Sequence, residues 1–151
     1  MTPQVRVQAE PFDAATEIAA LTEGRADIGA VVTFTGFCRD EGGRLAALEL
    51  EHYPGMAEAE MMRVAGEAAA RWPLTGLVAV HRFGTITPGQ PIVLVVTASG
   101  HRAAAFDAAA FLMDYLKTRA PFWKREHLVD GTAGPWVEAK SEDDAAAGRW
   151  A

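Results

Sequence analysis

Near the start of the chain, QVRVQA at residues 4–9 alternates polar and apolar residues with the period of two of a half-buried strand, so a strand is expected over Val5–Ala9. Asp13, just after Pro11, suits an N-cap, and the spacing beyond it predicts a helix from about Asp13 through Leu21 that Gly24 ends. Two β-branched and aromatic runs follow, Ile28–Phe37 and Leu45–Tyr53. In the second, Leu48, Leu50 and His52 alternate with Glu49, Glu51 and Tyr53. Both predict strands, and the intervening CRDEGGR, charged and with two glycines, predicts an exposed loop.

At Pro54 the spacing becomes helical. Through Trp72, the residues Ala59, Met62, Ala65, Ala69 and Trp72 form one stripe, Glu58, Glu60 and Arg63 fall largely off it, and Pro73 closes the helix. Leu77–Phe83 and Ile92–Ala98 are strongly β-forming, and TPGQP between them carries the Pro-Gly pair of a type II turn, which predicts a hairpin-like connection. Ser99 is placed as the cap of a helix running to about Thr118, with Phe106, Ala109, Met113 and Leu116 as its buried stripe, and Pro121 prevents continuation. Short strands around Phe122–Val129 and Trp136–Lys140 complete the pattern, and the acidic tail SEDDAAAGRWA, residues 141–151, is expected to fray in part. The order β-α-β-β-α-β-β-α-β-β lacks the strict alternation of a doubly wound parallel sheet. It predicts an α+β fold with three main helices and an antiparallel or mixed sheet.

Length and composition narrow this further. With 151 residues, half of them hydrophobic, the chain supports one core, so a single domain over residues 1–151 is expected. No apolar run approaches the roughly 18 residues of a membrane span, and the first ten residues lack a signal-like apolar stretch; a cytoplasmic protein without a membrane partner is expected. Cys38 is the only cysteine, which excludes an internal disulfide and a CxxC pair. The histidines at 52, 81, 101 and 127 have no tight ligand spacing, so no metal is expected. No glycine motif cradles a nucleotide, and no cofactor is expected.

The net charge of -6 argues against a general nucleic-acid binder. Its distribution says more. KTRAPFWKREH sets Lys117, Arg119, Lys124 and Arg125 against Glu126 alone, a local +3 that leaves -9 for the rest of the chain. Such an island suits a compact anion. Lys117 and Lys124 are two of three lysines in a chain with eleven arginines, which singles out amines: they bind anions as point charges and act in acid-base or nucleophilic catalysis. The competing reading is structural, with Lys117 complementing a helix C-terminus and Lys124 and Arg125 on a solvated strand face.

Ser99-Gly100-His101-Arg102 opens a predicted helix, where free N–H groups and a guanidinium could hold a phosphate. Arg102 and Lys117 stand 15 residues apart, roughly 22 Å of helical rise, too far to share a small ligand within one subunit. A site completed by a second copy is therefore expected. Arg39 is a third anion candidate, or an ordinary loop arginine. Cys38 is expected to be a small hydrophobe rather than a sulfur carrier.

TFTGFCRD, LEHYPGM, HR followed by DYLKTRAPFWKRE, and WVEAK together resemble the large subunits of bacterial molybdopterin synthases over most of the chain. DYLKTRAPFWKRE is the most specific of these segments. The resemblance implies an α/β hammerhead fold and a homodimer that docks two small ubiquitin-like carriers to form a heterotetramer. It implies a sulfurtransferase of molybdenum cofactor biosynthesis, in which the carrier's Gly-Gly thiocarboxylate delivers sulfur twice to cyclic pyranopterin monophosphate, making the dithiolene of molybdopterin. On this resemblance Lys117 and Lys124 fall on the essential lysines. Phe37, Cys38 and Arg39 match a substrate-contacting loop, His101 and Arg102 an anion-binding pair, and Lys124, Arg125 and Glu126 the remaining contacts; Lys140 is a further candidate phosphate contact. Two other functions fit the same cations: a non-catalytic module that binds a phosphorylated metabolite, and a structural partner of a ubiquitin-like protein.

Overall fold

The computed structural model describes residues 1–138 and 141–150. In chain order its elements are β1 (Gln4–Gln8), α1 (Ala14–Thr22), β2 (Ala30–Phe37), β3 (Leu45–His52), α2 (Met56–Arg71), β4 (Leu74–Arg82), β5 (Gly84–Ile86), β6 (Pro91–Ser99), α3 (Arg102–Arg119), β7 (Phe122–Leu128) and α4 (Ser141–Gly148). The expected α+β class holds. Four strands form a sheet in the order β1-β4-β6-β2, with β1 parallel to β4 and the other pairs antiparallel. A smaller antiparallel sheet has the order β5-β3-β7.

The central strands β4 and β6 are covered on both faces, which is why LVAV and VLVV are continuous apolar runs rather than alternating ones. On one face Ile18 and Leu21 of α1 pack on Val78, Val80, Leu94 and Val96. On the other, Met61 and Val64 of α2 and Phe111 and Leu112 of α3 cover Leu77, Ala79 and Val95. Asp13 caps α1 as expected, its carboxylate accepting from the Ala15 N–H at 3.1 Å.

Several expectations are corrected. The stripe of α2 is rotated: Ala57, Met61, Val64, Ala65 and Ala68 are buried, whereas Met62 is 41% exposed. In α3 the buried side includes Phe111 and Tyr115, whereas Phe106 is 59% exposed. Ser99 ends β6 rather than capping α3; His101 is the N-cap, and the Ser99 hydroxyl donates to the Pro73 carbonyl at 2.8 Å.

β4 and β6 pair antiparallel, but the chain between them detours through β5 in the other sheet. The turn therefore joins two sheets. Its type II geometry is present, with Gly89 at φ 90° after Pro88 and the Gln90 N–H donating to the Thr87 carbonyl at 3.1 Å. Of the expected strand Trp136–Lys140, the described part makes one bridge, Val137 to Lys124, while Ala139 and Lys140 lie outside the described residues. Within the acidic tail, Ser141–Gly148 forms α4. Past its end Trp150 meets Trp72 edge-on at 5.5 Å and donates from Nε1 to Asp114 at 2.6 Å.

Candidate active site

The end of β2, the following loop, β3, the last turn of α3 and β7 enclose a cleft of about 620 Å³. Helix α3 stops at Arg119 and β7 starts at Phe122, so the chain changes element across Ala120 and Pro121. That break turns two lysines seven residues apart toward one space. Lys117 reaches it from the exposed last turn of α3, and Lys124 from its half-buried place as the third residue of β7.

Side chains along β7 alternate. Lys124, Glu126 and Leu128 line the cleft, facing Leu50, Leu48 and Leu45 of β3 across the ladder. Arg125 does not line it. Its guanidinium lies over the Trp136 ring, 4.6 Å from the centroid, and its Nε is buried without a hydrogen-bond partner. His127 pairs with Glu49 at 2.9 Å. Arg119 also leaves the cleft, stacking over Tyr115 at 4.4 Å. Two cations of the basic island thus enter the cleft and two pack on aromatic rings.

The loop after β2 restores the positive charge. Phe37, Cys38 and Arg39 all line the cleft, and so does Arg44, a loop arginine that no local sequence pattern singles out. Four cations, Arg39, Arg44, Lys117 and Lys124, thereby face three carboxylates, Glu41, Glu126 and Glu138. Two of the carboxylates are engaged: Glu41 is paired with Arg39, and Glu138 accepts from the Trp123 indole at 2.7 Å. The Glu41 pair engages Arg39 as well, and the indole bond leaves Glu138 charged, so the lining carries a net +1, a positive bias toward an anion.

Cys38 is 2% exposed and its thiol points to the Ile86 carbonyl at 3.7 Å. Burial pushes its pKa up, and the charges of Asp40 and Glu126 add to the effect. Both disfavour the thiolate that sulfur chemistry would need.

His101 and Arg102 lie elsewhere. Both are exposed at the start of α3, which runs unbroken over 18 residues, so they stand roughly 22 Å from Lys117 along the axis. The structure thus gathers Phe37, Cys38, Arg39, Lys117, Lys124 and Glu126, and separates from them Arg125, His101 and Arg102.

His81, also missed from the sequence, lines the cleft. Its ring stacks on Phe122 with centroids 3.7 Å apart and planes 15° from parallel. Burial pushes its pKa down to about 4, with the neighbouring charges of His52 and Lys117 acting in the same direction. The signal was present: in LTGLVAVHR, His81 falls in phase with Leu77 and Ala79, a polar residue on an inward face.

Among the described residues no group of three His, Cys, Asp or Glu side chains could hold a metal ion. No described helix is long and apolar enough to cross a membrane.

Comparison with known proteins gives a consistent set of likenesses. The family described as MoaE protein matches residues 7–119. A molybdopterin synthase catalytic subunit from Mesorhizobium japonicum is 67% identical over 150 residues, covering 99% of this chain and 94% of that protein. A solved molybdopterin biosynthesis MoaE protein from Burkholderia ambifaria is 46% identical, with a TM-score of 0.85 and 99% and 98% of the two chains covered. The molybdopterin synthase structure from Staphylococcus aureus is 30% identical, with a TM-score of 0.75 and 87% and 94% covered.

Proposed function

This chain belongs to the MoaE protein family of molybdopterin synthase catalytic subunits, and from that premise we propose that it transfers sulfur to cyclic pyranopterin monophosphate. The sulfur donor is the C-terminal Gly-Gly thiocarboxylate of a small ubiquitin-like carrier. Two transfers make the dithiolene, in the cytoplasm, within a heterotetramer built on a homodimer of this chain.

The observation that carries this reading is the convergence of Lys117 and Lys124 on a cleft whose one cysteine is buried with a disfavoured thiolate. The cleft's own thiol is a poor sulfur source, so an external donor fits. A thiocarboxylate, a cyclic phosphate and the oxyanion that develops when the acyl group is released are all negative. Fixed cations with apolar walls stabilise such charge without reorganising during the reaction.

Lys117 meets the carrier's terminal acyl group as the principal catalytic residue. Lys124 holds the pterin and assists proton transfer, with Glu126 beside it on the same strand face. Arg39 grips the phosphate together with His101 and Arg102 of the second subunit. The length of α3 supports that sharing, since His101 and Arg102 cannot reach their own subunit's cleft. Arg125, stacked on Trp136, supports the wall rather than the ligand.

The test is Lys117→Ala. Folding and carrier binding should be kept while turnover falls by about a hundredfold or more, the scale of losing one oxyanion-stabilising group. Lys117→Arg should fare little better, because the guanidinium is a different shape and stays charged. Near-normal turnover of either variant refutes the role.

A further inference from the structure

We propose that His81 is a positioning residue for Lys117, its uncharged ring offering Nε2 as a hydrogen-bond acceptor that aims the lysine amine at the carrier's acyl group. The inference rests on the sulfur-transfer reading above.

Alternation along β4 places His81 on the same side of the sheet as Leu77 and Ala79, the side that α3 covers. Lys117 occupies the last turn of that helix, and both residues line the cleft. The imidazole plane is fixed by its stack on Phe122, the first residue of β7. Its Nδ1 lies 2.8 Å from the Arg82 carbonyl oxygen. A carbonyl only accepts, so Nδ1 carries the hydrogen, and in the neutral ring Nε2 is the acceptor.

Lys117 needs such a guide. Its four-carbon stem leaves an exposed helix end and has many rotamers. Among the described residues no carboxylate pairs with it, the salt bridges there belonging to other cations. A carboxylate would orient the amine but cancel the charge that attracts the anionic donor. A neutral acceptor orients it and leaves the charge intact. Burial, which pushes the His81 pKa down to about 4, keeps the ring neutral where the enzyme works.

The experiment compares His81→Asn with His81→Gln in the complete complex with thiocarboxylated carrier and cyclic pyranopterin monophosphate. Asparagine keeps an N–H near the Nδ1 position and loses the acceptor, whereas glutamine extends a carbonyl to the Nε2 position. His81→Asn should lower kcat by about tenfold or more with the pterin KM within about twofold, as expected when a catalytic group is misplaced. His81→Gln should restore most of that loss. A folded His81→Asn protein with unchanged kcat, a loss confined to KM, or glutamine performing no better than asparagine would overturn the proposal. If His81→Asn does not fold, His81→Leu replaces it under the same criteria. An inactive parent, or Lys117→Ala with full turnover, would instead overturn the sulfur-transfer reading. An active parent, a dead Lys117→Ala and an unaffected His81→Asn would overturn the role of His81 alone.

Discussion

Lys117, Cys38 and His81 share one cleft but face it from different degrees of burial, and burial decides what each can carry. Lys117 is exposed to solvent, whereas Cys38 is sealed against Ile86, and burial disfavours its thiolate. His81 is held neutral, which has a cost at low pH. Its pKa is about 4 in the folded protein against an ordinary 6.5, so the unfolded chain binds the proton more readily between those values. The contribution of a neutral His81 is complete above pH 6.5 and is lost as pH falls toward 4. Urea midpoints measured at pH 7 and pH 4.5 should therefore drop less in His81→Gln than in the parent; an equal drop would assign the acid sensitivity to other groups. At this scale the sequence showed the two lysines by their rarity and Arg39 by its place after a strand. It did not separate Arg125 from Lys124 and Glu126, although period-two alternation along β7 does so once the strand is granted.

At the scale of elements, α4 and the residues after it brace the helix that presents Lys117. Asp114, one turn before Lys117 in α3, accepts from Trp150 at 2.6 Å and pairs with Arg149 at 2.9 Å, while Arg71 of α2 donates to the Trp150 carbonyl at 2.8 Å. Trp150→Ala should cost about 2 kcal/mol, less than a fully buried tryptophan because the ring is only half-buried. A melting temperature lowered by several degrees is the expected reading; an unchanged one would show that the tail does not brace α3. This docking was hidden in the sequence because SEDDAAAGRWA is acidic and short, and only its last aromatic reveals that it packs. The strands and α1 were legible because β-branched runs and the Asp13 cap are local signals. The faces of α2 and α3 were not. Alanines surround both helices, and adjacent Met61 and Met62 fit two stripes equally well, so the neighbours in space settle which side is buried. β5 is three residues long and gains its identity from pairing with Leu48 to Leu50 of β3, which no local pattern announces.

Across the whole molecule, a net charge of -6 coexists with a cleft holding four cations against three carboxylates. The negative remainder discourages nonspecific polyanion binding while the cleft attracts a small anion. The unbroken α3 extends this to the assembly, because His101 and Lys117 of one chain cannot serve one small ligand. His101→Ala and Lys117→Ala subunits, each inactive as a homodimer, should regain about a quarter of the parental activity after random mixing, since half of the dimers then hold one intact site of two. No recovery would place both residues in a single subunit's function. The central claim is that this chain supplies the cations and the carrier supplies the sulfur. Its most direct test is turnover with a carrier whose thiocarboxylate bears heavy sulfur, followed by mass measurement of the product. The account predicts a molybdopterin dithiolene carrying two heavy sulfur atoms; a product with sulfur of natural mass, or no dithiolene, would contradict it.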